Sequence, residues 1–222
     1  MTLNEMLFQL NNENLGYKQN TVLHNISLSI AKGERVALVG ESGAGKSTLL
    51  SALQTRFKNK AALIPQDVGL VRNLSVFHNI YMGRLNAHGA GYNLLNLAWP
   101  QKCEVNQIKP LVERLGLADK LFKVTGELSG GQQQRTAVCR ALYQGGSAVI
   151  GDEPVSAVDS HMANTIMKAL NTEFDTVVLA LHDVDLALKF SSRIIGIKGG
   201  VISFDQPTDK LSRQDLDFLY EG

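Results

Sequence analysis

Cysteine is scarce in this chain of 222 residues: Cys103 and Cys139 are its two, far apart and without a CxxC or metal-ligand spacing. That excludes a disulfide framework and points to a reducing, cytosolic compartment. Proline is almost as sparse, with five residues, and no Ser/Pro-rich linker, low-complexity tract or repeat breaks the chain. Neither sign of charge dominates: 22 Lys and Arg face 21 Asp and Glu, for a formal charge of +1. A polybasic, charge-driven nucleic-acid binder is thereby excluded. Long apolar runs are missing, since none approaches the roughly 18 residues that span a bilayer. The opening stretch MTLNEMLFQLNNENLG has neither a basic n-region nor a long apolar core, so it does not read as a secretion signal. What remains is an ordinary hydrophobic fraction of 44%, which excludes disorder and suits one domain, or one domain with a small insertion.

Apolar periodicity orders the chain. Ile26, Leu28 and Ile30 alternate with polar residues and predict a half-buried strand. After the turn Ala31-Lys32-Gly33-Glu34, the run RVALV (Arg35–Val39) predicts a buried central strand. Ala61–Ile64, Ser147–Ile150 and Thr176–Leu181 look alike, and helical patterns cover Gln132–Tyr143, His161–Leu170 and Val184–Phe190. Strands alternating with helices imply an α/β fold with a mainly parallel sheet. Arg193–Ile197, the glycines at 199 and 200, and Val201–Phe204 predict a hairpin. Residues from about 70 to 125 lack β-branched runs and read as a helical insertion, with helix-like pieces at Val76–Tyr81 and Ile108–Leu115. Asn86–Gln101, rich in Asn and Gly and closing on Trp-Pro, reads as loop.

Three segments carry chemistry. Gly40-Glu41-Ser42-Gly43-Ala44-Gly45-Lys46-Ser47 matches the phosphate-binding loop GxxxxGK[ST] in full. Its glycines let backbone N–H groups curl around phosphate oxygens, and the helix that follows adds its positive end. Lys46 can then reach the β- and γ-phosphates and the Ser47 hydroxyl can bind Mg²⁺. A Gly-rich turn before a helix is the plainer alternative, but a strand before the loop and Leu49, Leu50 and Leu53 after it supply the right setting. The second segment is the strand ending in Asp152-Glu153. In isolation it would be a turn more often than a site. Beside a phosphate loop, Asp152 can hold Mg²⁺ through water and Glu153 can polarise an attacking water. In the third, Leu128-Ser129-Gly130-Gly131-Gln132, a Ser and two Gly open a helix and build a second anion site from backbone N–H groups. One nucleotide needs one phosphate loop, so a second phosphate-reading helix start requires a reason.

LSGGQ followed by Gln-Gln-Arg resembles the signature of the ATP-binding cassette family, the ATPase subunits of ABC transporters. The resemblance implies a phosphate-loop NTPase core with a reduced antiparallel β part. It implies a single domain over residues 1–222, with the core at about 1–69 and 126–222. A helical signature subdomain, about 70–125, would extend into the signature helix. It implies ATP and Mg²⁺ as cofactors. Gly40 to Thr48 would bind phosphate together with Ser129, Gly130, Gly131 and Gln132, and Lys46, Glu153 and His182 would be catalytic. Tyr17 stands where the family has an aromatic that stacks on adenine. Gln66, in Ile64-Pro65-Gln66-Asp67, matches a glutamine that touches Mg²⁺, so the metal set would be Ser47, Gln66 and Asp152. Ser156-Ala157-Val158-Asp159 matches the loop that meets the partner subunit, and His182 in Leu181-His182-Asp183 matches the switch histidine beside the γ-phosphate.

The resemblance also implies partners: a second copy of the chain forming an ATP sandwich, transmembrane permease subunits, and a substrate-binding protein acting indirectly, with no nucleic acid. The place would be the cytoplasmic face of the inner membrane. Leu70–Val76, Asn79-Ile80, Gly83-Arg84-Leu85, the run SGGQQQR (129–135) and the closing Asp217-Phe218-Leu219-Tyr220 resemble the phosphonate-importer branch of the family. A lipid, lipoprotein or drug exporter ATPase is the alternative. A non-transport cassette is a further one, disfavoured because the chain has no room for a coiled coil or a second cassette. Two departures from the pattern stand out. Gly151 replaces a larger apolar residue, and Gln66 follows Lys46 by only 20 positions. That interval leaves little chain for the antiparallel strands that flank the nucleotide in the family.

Overall fold

The computed structural model describes residues 5–17, 20–57 and 61–220. In chain order its elements are β1 (Met6–Tyr17), β2 (Asn20–Ala31), β3 (Arg35–Val39), α1 (Lys46–Phe57), β4 (Ala61–Ile64), α2 (Val76–Tyr81), α3 (Ala90–Ala98) and α4 (Lys102–Arg114). There follow α5 (Gly130–Gln144), β5 (Ala148–Asp152), α6 (Ser160–Glu173), β6 (Thr176–Ala180), α7 (Val184–Phe190), β7 (Arg193–Lys198), β8 (Val201–Pro207) and α8 (Gln214–Asp217). Two compact units contain them. One comprises the described residues of Met1–Leu63, Gly146–Glu153 and Phe174–Gly222; the other comprises Ile64–Gly145 and Pro154–Glu173.

In the first unit a six-stranded sheet has the order β4-β5-β6-β3-β7-β8. Pairs β5–β6, β6–β3 and β3–β7 are parallel, and β7–β8 is an antiparallel hairpin. The central strands are short and apolar because both their faces are covered. On one face Val36, Leu38, Ile150, Val178 and Ile195 join Leu49, Leu50 and Leu53 of α1. Phe8, Leu10, Leu23, Ile26, Leu28 and Ile30, from the separate two-stranded sheet β1–β2, complete this core. The Asn-rich start of the chain conceals β1. Its register slips between Leu10 and Leu15, and Asn12 and Asn25 adopt positive φ. Side chains bridge the irregularity, with the Asn12 N–H donating to Ser27 Oγ at 3.0 Å and the Asn25 N–H to Asn14 Oδ1 at 2.9 Å. Bulges of this kind break the alternation by which a strand is recognised. The strand pairs β1–β2 and β7–β8 are antiparallel. Between α1 and β4 lie three residues, 58–60, which fall outside the described set.

The second unit is helical. It runs from residue 64 through all of α5 and takes in 154–173. α5 packs against α2, α4 and α6, with Phe77, Ile80, Ile108, Val112, Val138 and Ala141 buried. The stretch 86–101, loop-like in composition, contains a helix: α3 occupies residues 90–98. Its asparagines are anchors here. Asn93 Oδ1 accepts the Tyr81 hydroxyl at 2.7 Å, and its Nδ2 donates to the Leu85 and His88 carbonyls. Buried Asn96 accepts the Gln101 N–H at 3.0 Å. Tertiary hydrogen bonds thus overrode the turn preference of Asn. Trp99, preceding Pro100, is extended and ends the helix, in line with the bias of a residue before proline away from the helical region.

Candidate functional site

Parallel pairing sets the geometry of the first unit. Strands β5, β6 and β3 are neighbours running the same way, so their carboxyl ends share one edge of the sheet, the usual place for a ligand in an open α/β sheet. From β3 the chain turns through Gly40 to Gly45 into α1. Gly40, Gly43 and Gly45 have φ of +144°, +81° and +111°. A Cβ on Gly40 would lie 2.2 Å from the Ile197 carbonyl oxygen, and one on Gly45 would lie 2.4 Å from Leu23 Cδ2. The loop spacing is therefore demanded by packing as well as by phosphate chemistry. Lys46 opens α1 and is only 5% exposed. Its ammonium donates to the carbonyls of Gly40 at 2.7 Å and Glu41 at 2.8 Å. Burial lowers its pKa from the ordinary lysine value, against the opposing pull of Glu153 and Asp152.

β5 delivers the two acids. Asp152 pairs in register with Ala180 of β6, and its Oδ1 is buried with no hydrogen-bond partner among the described residues. Glu153 adopts φ +52°, a left-handed backbone uncommon outside glycine and asparagine. Its N–H donates to the Ala180 carbonyl at 3.1 Å, which holds the turn. His182, just past β6, brings Nε2 to 2.5 Å from Glu153 Oε1. Asp183 caps α7 by accepting the Leu186 N–H at 3.0 Å. Tyr17 ends β1 with 57% of its surface exposed. The first unit thus gathers the loop, Lys46, Ser47, Asp152, Glu153 and His182.

The helical unit carries Gln66 and the signature. Ser129 is the N-cap of α5 in a full capping box: its Oγ accepts the Gln132 N–H at 3.4 Å, and Gln132 Oε1 accepts the Ser129 N–H at 3.0 Å. The Gln132 oxygen is thus committed to shaping the helix start, while Ser129 and Gly130 face outward. Gln134, buried one turn on, donates from Nε2 to Ser156 Oγ at 3.0 Å and accepts the Ala157 N–H at 2.9 Å. That clasps the Ser156–Asp159 loop to the signature helix. Gly131 permits the approach, since a Cβ there would lie 2.5 Å from the Ala157 carbonyl oxygen.

Two contributors escaped the sequence reading. Gln134 lies inside the quoted SGGQQQR run, yet its partners are more than twenty positions away. Tyr220 closes the quoted Asp217–Tyr220 segment. Partial burial raises the pKa of its hydroxyl above the ordinary phenol value. With His182, Asp183, Asp185, Arg213 and Asp217 it lines a cleft of about 580 Å³.

A parallel sheet feeding a glycine loop and helix, with two acids at a neighbouring strand end, defines a phosphate-loop ATPase. The sequence pattern of the ABC transporter family matches residues 23–156, and the chain belongs to that family as one of its ATP-binding, ATP-hydrolysing cassettes. It is 37% identical to the phosphonates import ATP-binding protein PhnC of Pseudomonas putida over 99% of this chain and 92% of that one. To a Halalkalibacterium halodurans protein named phosphonates import ATP-binding protein PhnC 3 it is 32% identical, over 96% of this chain and 94% of that one. Among solved structures, the dimeric form of MJ0796, a bacterial ABC transporter cassette, superposes with a TM-score of 0.78 at 26% identity. It covers 90% of this chain and 98% of that one. The same cassette in a post-hydrolysis state bound to ADP and Pi gives 0.77. No helix among the described residues is long and apolar enough to cross a membrane.

Proposed function

We propose that this cassette is the motor of an importer for a phosphonate or a related phosphorus oxyanion. The observation behind the cargo class is the near-full-length similarity to phosphonates import ATP-binding proteins. In this reading the backbone N–H groups of Gly40 to Thr48 cradle the phosphates of ATP, Lys46 reaches the β- and γ-phosphates, and Tyr17 stacks on the base. Two copies sandwich two ATP molecules, each loop facing Ser129–Gln132 of the other chain; the outward-facing Ser129 and Gly130 support this arrangement. Glu153 takes the proton of the attacking water, with His182 beside its carboxylate to steady the γ-phosphate. By chemistry the proposed donors fit Mg²⁺: Ser47 offers a hydroxyl, Asp152 a carboxylate oxygen with no hydrogen-bond partner among the described residues, and Gln66 an amide oxygen, all hard oxygen donors. When bound, that ion neutralises charge on the β- and γ-phosphates.

The membrane partners are separate permease subunits at the cytoplasmic face, loaded indirectly by a substrate-binding protein. Leu94, Leu97 and Trp99 of α3 and its end stand exposed, Trp99 by 74%, and supply apolar surface for such a contact. Deleting the gene and growing the strain on a phosphonate as sole phosphorus source tests the proposal. Growth should be lost and should return with the wild-type gene but not with Glu153→Gln. Unchanged growth, with lipid or drug export impaired instead, overturns the import reading.

A further inference from the structure

The loop that holds Gln66 has a backbone its own residues disfavour. Val68 sits at φ +54°, followed by Gly69 at +51°. Glycine adopts that region without cost, but for a β-branched residue it is an outlier that the surroundings must enforce. Two tight turns form there, the Val68 N–H donating to the Pro65 carbonyl at 3.0 Å and the Gly69 N–H to the Asp67 carbonyl at 2.7 Å. The carbonyls of Val68 and Gly69 meet a single side chain. Arg140 of α5 donates from Nη1 to the Gly69 oxygen at 2.6 Å and from Nη2 to the Val68 oxygen at 2.9 Å. A planar guanidinium suits two adjacent carbonyls in a way that one ammonium does not. Asp67 supplies the countercharge, while burial lowers the Arg140 pKa from its ordinary value.

We propose that Arg140 is a positioning residue that holds the Gln66 loop in its left-handed conformation and ties that loop to the signature helix. Ser129 caps α5 and Arg140 lies within it, eleven positions further on and about 16 Å along the axis. Within the helical unit a shift of the signature helix therefore carries the Gln66 loop with it. The consequence for turnover rests on the role given to Gln66 above; the hold on the loop does not.

Arg140→Gln, Val68→Asn and the double variant test it in the full-length protein. Two readouts are needed: hydrogen exchange of peptides covering residues 65–74, and ATPase kcat and KM. Losing two charge-assisted hydrogen bonds should speed exchange there by about 10-fold or more and lower kcat by a similar factor, with KM for ATP unchanged. Asn tolerates the left-handed region, so adding Val68→Asn to Arg140→Gln should recover most of both losses, which a general packing defect in α5 would not allow. Exchange that stays at the wild-type rate in Arg140→Gln, or a folded double variant with no recovery, overturns the proposal. Exchange that responds as described while kcat holds constant supports the hold on the loop and overturns the role given to Gln66. Should Arg140→Gln not fold, Arg140→Lys is read in the same assays, and wild-type exchange there also overturns the proposal.

Discussion

Gly130 and Gly131 are adjacent in the signature, yet adding one methyl to each should have opposite effects on stability. At Gly131 the new Cβ would lie 2.5 Å from the Ala157 carbonyl oxygen and 3.6 Å from Val158 Cγ1. Ordinary contact begins near 3.4 Å, so helix and loop must separate by about 0.9 Å. Neither gives readily, because Gln134 binds the loop at both Ser156 and Ala157. Overpacking of this kind costs about 1–3 kcal/mol. At roughly 2–4 °C per kcal/mol for a chain of this length, the melting temperature should fall by about 2–12 °C. At Gly130 nothing lies within 4 Å of the new Cβ. Alanine there should leave stability unchanged or raise it by up to about 1 kcal/mol of helix propensity, so the melting temperature should not fall. Turnover should nonetheless fall in Gly130→Ala, by about 10²-fold, because a methyl at an exposed helix start displaces the phosphate it reads by about 1 Å. Thermal unfolding without nucleotide and steady-state ATP hydrolysis separate the two variants. A Gly131→Ala protein that melts with the wild type refutes the close approach. A Gly130→Ala protein with full turnover refutes phosphate reading at that helix start.

Glu153→Gln should keep ATP affinity while losing about 10²–10⁴-fold in kcat, the usual contribution of a general base, and should gather as an ATP-bound dimer in size-exclusion chromatography. Lys46→Ala should instead weaken nucleotide binding itself in a titration, so equal losses in both variants would collapse the distinction between their roles. A Ser129 variant mixed with a Lys46 variant should regain part of the turnover, because mixed dimers hold one intact composite site; no rescue despite heterodimers seen by mass spectrometry would argue for a self-contained cassette. Tyr17→Ala should lose about 1–3 kcal/mol of nucleotide affinity, the scale of base stacking, and the wild type should discriminate weakly between ATP and GTP. Strong ATP preference that survives Tyr17→Ala would show that another segment reads the base.

Local features were legible where the covalent sequence itself imposes the conformation. The glycine spacing of 40–47 permits few backbones other than a tight anion cradle. RVALV and the run at 176–181 are too apolar and β-branched to lie anywhere but inside a sheet, and Ser129 with Gln132 caps its own helix by contacts three residues apart. Segments whose conformation depends on distant partners were opaque. β1 is broken by bulges that are bridged only against the facing strand, where Ser27 accepts the Asn12 N–H and Asn14 of β1 accepts the N–H of Asn25. α3 is made from residues that favour turns, and it stands because Tyr81 and Gln101 bond its asparagines.

By itself the sequence determined the class of chemistry, because phosphate binding needs backbone N–H groups at fixed short intervals, and such intervals are written directly in residue order. Tertiary structure alone decided which groups support that chemistry. Gln134 reaches Ser156 and Ala157 across 22 and 23 positions, and Arg140 reaches Val68 and Gly69 across more than 70. No periodicity or propensity encodes such pairings. They exist only once the helices and strands have packed and brought remote donors and acceptors within about 3 Å of each other, the distance at which a hydrogen bond forms.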